Sequence, residues 1–430
     1  RNLVNGYKAL YKTNETFFLE VKELPSGTCL KIDSSGKTFS YNYWKPKLIE
    51  NTNLSYSDAV DMTREAVIKT TKLRMRSDVP IAFCLSGGVD SNTLISIASK
   101  ILEQEVHGFT IVNTDARYDE QSAVEQSVKE LGIKYTSVKL SKHNFLKNLS
   151  SLINHHDAPV YTINYYLNWQ LMESIANEGY KVAISGTAAD ELFTGYYDHH
   201  NLYLYEVSKN KTLYKKSLDN WNKYHKKDVR NPYLKDPNLY LKDPKFRDHN
   251  YMHNDLFASF LEEKWNEPFV ETNYTESLLK NRMLNEMFAE IVPVILHEED
   301  LNAMYYSIEN RTPFLDSDLF DLAYSIPSHL LIKDGAAKAI LRDAMKGIVP
   351  DAIIEEKRKV GFNAPIESLL DLNAPEIRSY LLDDSKVFNL VNKKKIEKVL
   401  NQGNFTNSNS KFLFNFLNTK MFLENQASNQ

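Results

Sequence analysis

The sequence predicts an α/β fold in which a doubly wound parallel sheet is followed by a helical C-terminal region. Two observations support this prediction. Between about residues 80 and 185, apolar runs of strand length alternate with segments whose apolar residues recur at helical spacing. From about Glu276 onward, helical spacing dominates. Strands that alternate with helices form parallel sheets, which bind ligands at the carboxyl ends of their strands.

Four strands are predicted in the alternating region, at 81–85, 106–112, 135–140 and 182–185. The first is a continuous apolar run, as expected of a strand that is buried on both faces. A helix follows it, with Leu94, Ile97, Ala98, Ile101 and Leu102 on one face. A second helix should end near Gly132, and a third should occupy 161–177 before Gly179.

The chain divides into four predicted regions. Residues 1–47 have a strand at 17–21, a turn at Leu24-Pro25-Ser26-Gly27 and a further strand, and they are too few to bury their own core. Residues 48–204 are the α/β domain. Residues 205–275 are an insertion of loops and short helices, because prolines at that density interrupt long helices. Residues 276–430 are helical, with the last ten expected to fray.

Composition and charge exclude several classes of protein. With 56 acidic and 52 basic side chains, the net charge of −4 offers no excess of positive charge for nucleic acid. No apolar stretch approaches the roughly 18 residues of a membrane helix. Two cysteines, Cys29 and Cys84, make neither a disulfide framework nor a CxxC pair, which favours a reducing, cytoplasmic setting. Both are expected in the core, and the oligomeric state is left open, with a homodimer as one option.

The strongest motif is Ser86-Gly87-Gly88-Val89-Asp90-Ser91, directly after the first strand and its last residue, Leu85. Two glycines allow a tight turn with converging N–H groups, and the start of the following helix adds its positive dipole end. This arrangement is typical of an anion nest for pyrophosphate. Since a carboxylate would repel phosphates, Asp90 indicates a bridging Mg²⁺. The alternative is an ordinary Gly-rich turn with a Ser/Asp helix cap.

The motif resembles the PP-loop of ATP pyrophosphatases, which cleave ATP between its α and β phosphates and adenylate a substrate. The Walker pattern GxxxxGK[ST] does not occur. The resemblance implies a sheet of the PP-loop ATP pyrophosphatase (adenine nucleotide alpha hydrolase-like) type. Several families share this loop.

Three further segments are more specific. The run 185–196 is similar to the SGxGxDELFxGY segment of asparagine synthetases, and 300–316 is similar to their DRxSMxxSLExRxPFLD segment. Lys338, Leu341 and Arg342, followed by Arg358, Lys359, Gly361 and Phe362, match the KxxLR and KxGF elements of that family. The order and spacing of these segments resemble the C-terminal synthetase domain of asparagine synthetases, within the glutamine-dependent amidotransferases.

This resemblance implies a set of site residues. Those for ATP are Leu85, Ser86, Gly87, Gly88, Asp90, Ser91, Ile111, Ser185, Gly186, Lys338 and Lys359. Asp90 and Asp190 would bind Mg²⁺, while Thr187, Asp190 and Glu191 would contact the acceptor substrate. The expected catalytic residues are Lys359, Glu309 and Asp190. Lys338 and Lys359 could instead be solvated surface cations, and Glu309 could instead form a structural ion pair with Arg311.

Thr187 is a departure from the family pattern, because asparagine synthetases generally have Glu at this place, in contact with the aspartyl intermediate. A threonine hydroxyl cannot act as an acid or base at neutral pH. Either another carboxylate replaces it, or the acceptor is not aspartate.

The second departure concerns the glutaminase domain, which begins with a catalytic cysteine in full-length family members. Residues 1–47 resemble only its closing strands and linker, with 24–27 at its LPxG turn. We therefore expect a glutaminase domain or subunit to be missing from this chain, and we expect the chain as given not to hydrolyse glutamine.

The expected function is that of an ATP-dependent amide synthetase, an AMP-forming carbon–nitrogen ligase. It would adenylate a small-molecule carboxylate, release pyrophosphate and transfer ammonia to the acyl group. The acceptor is aspartate or a larger acid, such as a sugar uronate in surface polysaccharide assembly. Ring closure to a lactam or macrolactam is an alternative within the family. An inactive nucleotide-binding scaffold is the alternative from another class.

Overall fold

The computed structural model describes residues 3–4, 10–112, 120–247, 254–263, 270–357, 364–403 and 405–428. Its strands are β1 (Thr28–Ile32), β2 (Thr38–Asn42), β3 (Ile81–Cys84), β4 (His107–Val112), β5 (Lys134–Lys139), β6 (Val182–Ile184) and β7 (Glu309–Arg311). The helices of the N-terminal half are α1 (Tyr56–Arg74), α2 (Val89–Ser96), α3 (Gln121–Leu131), α4 (Phe145–His156), α5 (Ile163–Asn177), α6 (Ala189–Phe193), α7 (Tyr197–Val207), α8 (Lys211–Tyr224), α9 (Pro232–Lys235), α10 (Asn238–Lys242) and α11 (Asn254–Ala258). The remaining helices are α12 (Leu278–Asn285), α13 (Val292–Tyr305), α14 (Ser317–Ser325), α15 (Ala339–Ala344), α16 (Asp351–Glu355), α17 (Pro375–Leu382), α18 (Lys393–Leu400) and α19 (Asn407–Ser428).

Five strands form one parallel sheet in the order β5-β4-β3-β6-β7. The four predicted strands are β3, β4, β5 and β6, so the prediction of a doubly wound parallel sheet is confirmed. The sequence did not predict β7, which pairs with β6 from Glu309 to Arg311. The sheet, with helices on both faces, agrees with the PP-loop type of fold.

Residues of β3 alternate between two apolar layers, as the period of a strand requires. Phe83, and Leu85 just after the end of the strand, pack into a large core. Residues of α1, α2 and α14 belong to the same core. Ala82 faces the opposite layer, with Phe109 of β4 and Met172 of α5. Burial on both faces explains the continuous apolar run seen in the sequence.

A second large core lies among α4, α5 and the C-terminal helices α17, α18 and α19. The prediction of a fraying tail over the last ten residues is wrong for most of that stretch, because α19 continues to Ser428. Phe416 and Leu417 are fully buried, and the amide of Asn425 donates to Ser150 Oγ at 3.1 Å. Packing against α4 therefore stabilises a sequence that is polar near its end.

The N-terminal region differs from prediction. Residues 17–21 form a turn in which the Val21 N–H donates to Phe18 O at 3.4 Å, so the predicted strand there is wrong. The strands are instead β1 and β2, an antiparallel hairpin whose second strand is exposed throughout. Cys29 lies in β1 and is only partly buried, so its placement in the core is also wrong. Cys84, at the end of β3, packs at the margin of the smaller layer.

The region 205–275 contains the predicted short helices α9, α10 and α11, but also the 14-residue α8. Helix α8 has no proline, because the prolines of this region lie after it. Across the described ranges, no helix has the length and apolar character needed to cross a membrane.

Candidate active site

The candidate site lies where β3 and β6, neighbours in the sheet, reach their carboxyl ends. The predicted nest follows β3, and Asp90 lies in the first turn of α2. The 185–188 segment follows β6, and Asp190 lies in the first turn of α6. The topology therefore brings together two carboxylates that are a hundred residues apart in the chain.

Lys338 joins these two carboxylates. Its Nζ lies 2.5 Å from Asp90 Oδ2 and 2.7 Å from Asp190 Oδ1, and its side chain is only 8% exposed. Burial disfavours the ammonium charge, but the charges of Asp190 and Asp90 outweigh it and raise the pKa of Lys338. Lys338 has a left-handed backbone (φ 56°) at the start of α15. A non-glycine residue in this conformation carries strain, which is typical of functional sites.

The backbone N–H groups of Ser86, Gly87 and Gly88 in the predicted nest have acceptors within the protein. The Gly88 N–H donates to Ser86 Oγ at 3.2 Å, and the Ser86 N–H donates to Ser91 Oγ at 3.0 Å. The Gly87 N–H donates to a carboxylate oxygen of Glu120 at 3.2 Å, so this amide already binds an anionic group. Asn92 closes the loop by donating to Ser86 O at 2.9 Å and to Gly88 O at 2.8 Å. Sequence reasoning missed Asn92 and Glu120; the position of Asn92, directly after the motif, was the available signal.

Gly186 allows the two loops to approach. A Cβ at Gly186 would lie 3.0 Å from the backbone nitrogen of Ser91 and 3.1 Å from Asp90 Cβ. Any larger residue would push the 185–188 segment away from the start of α2. The glycine therefore keeps open a narrow cradle between the nest and the end of β6.

Thr187 is hydrogen-bonded to a carboxylate from a distant part of the chain. Its Oγ1 donates to Oε2 of Glu299, on α13, at 3.0 Å. Ser185 Oγ and Asn310 Nδ2 donate to the same oxygen, at 3.4 Å and 3.3 Å. Burial raises the pKa of Glu299, and these hydrogen bonds partly oppose that rise. For Glu299, directly before the 300–316 segment, the sequence left open a place in the acceptor pocket and a structural ion pair.

Two predicted site residues, Glu191 and Glu309, pair with other side chains. Glu191 is buried beneath the site, where it accepts from Tyr196 Oη at 2.6 Å. Burial first, and the charge of Asp190 next, raise its pKa to about 7. Glu309 starts the edge strand β7 and forms an exposed ion pair with Arg311 at 2.8 Å, away from the carboxyl ends of the strands. Ile111 lies on β4 and is partly buried, whereas Lys359 falls in 358–363, outside the described residues.

The residues present fit Mg²⁺ and a triphosphate. Carboxylate oxygens are the protein ligands that Mg²⁺ prefers, and Asp90 and Asp190 provide them on either side of one ammonium group. The cradle at Gly186 lies against Asp90, and the Gly87 amide, which binds the Glu120 carboxylate, belongs to the same loop as Asp90.

The family described as Asparagine synthase matches residues 62–424. This chain belongs to the asparagine synthase family. Among its relatives, the glutamine-hydrolyzing asparagine synthetase 1 of Bacillus subtilis is 27% identical over 90% of this chain and 62% of its own length. Amidase chyE of Penicillium rubens is 23% identical over 80% of this chain and 59% of its own length. The chain thus spans about three fifths of these relatives, and the match to the family covers α1 through most of α19.

Proposed function

We propose that the chain is an ATP-dependent amide synthetase that forms AMP and pyrophosphate. The observation that carries this proposal is the triad of Asp90, Lys338 and Asp190 at the carboxyl edge of the sheet, beside the nest at Gly87. Membership of the asparagine synthase family supports it. The acceptor carboxylate attacks the α-phosphorus of ATP, pyrophosphate leaves, and ammonia then displaces AMP from the acyl group.

In this proposal, the leaving pyrophosphate takes the place of the Glu120 carboxylate at the Gly87 N–H and accepts from the hydroxyls of Ser86 and Ser91. Asp90 and Asp190 would hold Mg²⁺, which would supply positive charge to neutralise the phosphate oxygens. Lys338 keeps both carboxylates oriented and adds a fixed positive charge at the same place. Lys359 is proposed as a second cation that meets charge developing on the phosphates.

The acceptor is proposed to be aspartate or a larger acid such as a sugar uronate. The shorter Thr187, in the place of the Glu of asparagine synthetases, leaves more room beside the acyl group. Ammonia is the proposed nitrogen source, with glutamine hydrolysis assigned to a glutaminase domain or subunit outside these residues. Formation of AMP and pyrophosphate that is indifferent to every nitrogen donor would favour ring closure instead.

The first test is a screen of carboxylic acids for acid-dependent release of pyrophosphate with MgATP and ammonium. Asp90→Asn should reduce that release at least about 100-fold at saturating Mg²⁺, because the loss of one metal carboxylate removes several kcal/mol of transition-state stabilisation. Circular dichroism should show an intact fold. Asp61→Asn, which changes an exposed carboxylate on α1, is the control. Wild-type turnover by Asp90→Asn would contradict the assignment of the nucleotide site.

A further inference from the structure

Amide formation requires a group that takes a proton from nitrogen, a requirement that rests on the proposed function. When ammonia attacks the acyl group, the nitrogen becomes positively charged as its bond to carbon forms, and it must lose a proton. The hydroxyl of Thr187 cannot accept that proton at neutral pH. The described surroundings of Thr187 therefore have to provide another base.

Glu299 has the required position. Thr187, Ser185 and Asn310 all donate to its Oε2. In the described part of the chain, no donor reaches its second oxygen, Oε1, at hydrogen-bonding distance. The carboxylate is thus held by one oxygen beside the end of β6, and the other oxygen remains available for chemistry.

Its electrostatic setting differs from that of a structural carboxylate. The buried Glu286 and Glu290 both pair with the guanidinium of Arg282, at 3.0 Å and 2.6 Å. Glu299 makes only hydrogen bonds from neutral groups, and within the described ranges no Lys or Arg lies within 4 Å of it. A carboxylate without a neutralising cation is a stronger base, which suits proton transfer more than structural support.

We propose that Glu299 supplies, from α13, the carboxylate that its own segment lacks at Thr187, and that it accepts the proton from the attacking nitrogen. The nitrogen–carbon bond forms and the bond between the acyl carbon and the phosphate oxygen breaks. The electron pair of that broken bond leaves with AMP, and the proton moves from nitrogen to Glu299 Oε1 and then to solvent. Thr187 and Asn310 are positioning residues, since they orient this carboxylate.

Glu299→Gln separates the two half-reactions. The exchange of pyrophosphate into ATP, measured with aspartate or glucuronate as the acid, should stay within about threefold of wild type. Amide formation from ammonium should fall at least about 100-fold, the lower end of the usual effect of a general base. Hydroxylamine should show a smaller loss, because its electron-withdrawing hydroxyl makes the N–H of the adduct more acidic and less dependent on a base. Asp300→Asn, an exposed neighbour on α13, is the control and should change neither rate.

A rescue variant excludes a merely structural role. Thr187→Glu in the Glu299→Gln background puts a carboxylate on the 185–188 segment. The rate of amide formation by this double variant should be at least about tenfold higher than that of Glu299→Gln alone. Equal loss of exchange and amide formation, or no recovery in the double variant, would overturn the role of Glu299. An absence of exchange by the wild type with any acid would instead overturn the proposed function, and the two failures are therefore distinguishable.

Discussion

At the residue scale, Gly195 illustrates how the site depends on the absence of a side chain. A Cβ at this position would lie 1.5 Å from Asp190 Oδ1 and 2.3 Å from Asp190 Cγ. The Gly195 N–H also donates to Asp190 O at 2.9 Å, so the two residues are held in contact. Glycine is required here because the carboxylate of Asp190 occupies the space of a methyl group.

Gly195→Ala should therefore displace the Asp190 carboxylate and separate it from Lys338. We expect at least a tenfold loss of pyrophosphate release and a destabilisation of about 1–3 kcal/mol, the usual cost of overpacking. Urea unfolding and the pyrophosphate assay would measure both. In an Asp190→Ala background the carboxylate is absent and only Cβ of residue 190, at 2.7 Å, still obstructs, so Gly195→Ala should then cost less stability. An additive double variant would contradict this explanation.

At the element scale, the insertion supports the loop that carries Lys338. His225, directly after α8, bonds through Nε2 to Gly335 O at 2.5 Å; because a carbonyl only accepts, this nitrogen carries the proton. Asp334 and Gly335 have left-handed backbones, and a Cβ at Gly335 would meet the ring of Tyr224 at 2.8 Å. The turn is therefore pressed closely against the end of α8, three residues before Lys338.

His225→Ala should loosen this turn. Loss of a buried hydrogen-bond partner costs about 1–3 kcal/mol, and we expect kcat for pyrophosphate release to fall as Lys338 loses its fixed position. Lys216→Ala is the matched control, because it removes an exposed ion pair from α8 to Asp334 on the same turn. Exposed pairs contribute about 0–1 kcal/mol, so this variant should stay near wild type. If the two substitutions had equal effects, the hydrogen bond of His225 would not be what holds this turn in place.

At the scale of the whole molecule, buried ionisable groups link the layers. Glu298 is buried on α13 and accepts from the Tyr161 N–H at 2.8 Å, with His156 Nδ1 of α4 at 3.5 Å from its other oxygen. Burial raises the pKa of Glu298 to about 8, and it lowers the pKa of His156 to about 3. The pair is therefore neutral at pH 7, with the proton on the carboxyl group.

This pair makes stability depend on pH. Between the ordinary carboxyl pKa of 4.5 and about 8, the folded state holds a proton that the unfolded state has lost. Glu298 by itself therefore lowers the free energy of unfolding as pH rises through this range, by up to about 1.4 kcal/mol per pH unit. His156, whose pKa is lowered from 6.5, has the opposite effect below pH 6.5, so the net fall is expected between pH 6.5 and about 8. Glu298→Gln should flatten that slope while keeping the hydrogen bond that the Tyr161 N–H donates. Urea unfolding at about pH 5, 6, 7 and 8 would show the change in slope. An unchanged slope would mean that Glu298 is ionised in the folded protein.

The features that the sequence predicted share a local origin. The strands β3 to β6, the nest at Gly87 and the position of Asp90 follow from short patterns, in which apolar runs set burial and adjacent glycines set the turn. The meeting of Asp90 and Asp190 followed from one topological rule, because parallel strands end at one edge. The resemblance to the family segments led to the expectation that Lys338 belongs to the same ATP site as these two carboxylates.

What only the tertiary structure decided depends on contacts between distant segments. Glu299 lies 112 residues from Thr187, and no local pattern shows that α13 turns this side chain toward the end of β6. The same holds for the edge position of Glu309 and for the continuation of α19 to Ser428, which packing against α4 stabilises. Side-chain direction and burial arise when separate elements pack together, so local propensity determined the elements and packing determined which carboxylates reach the site.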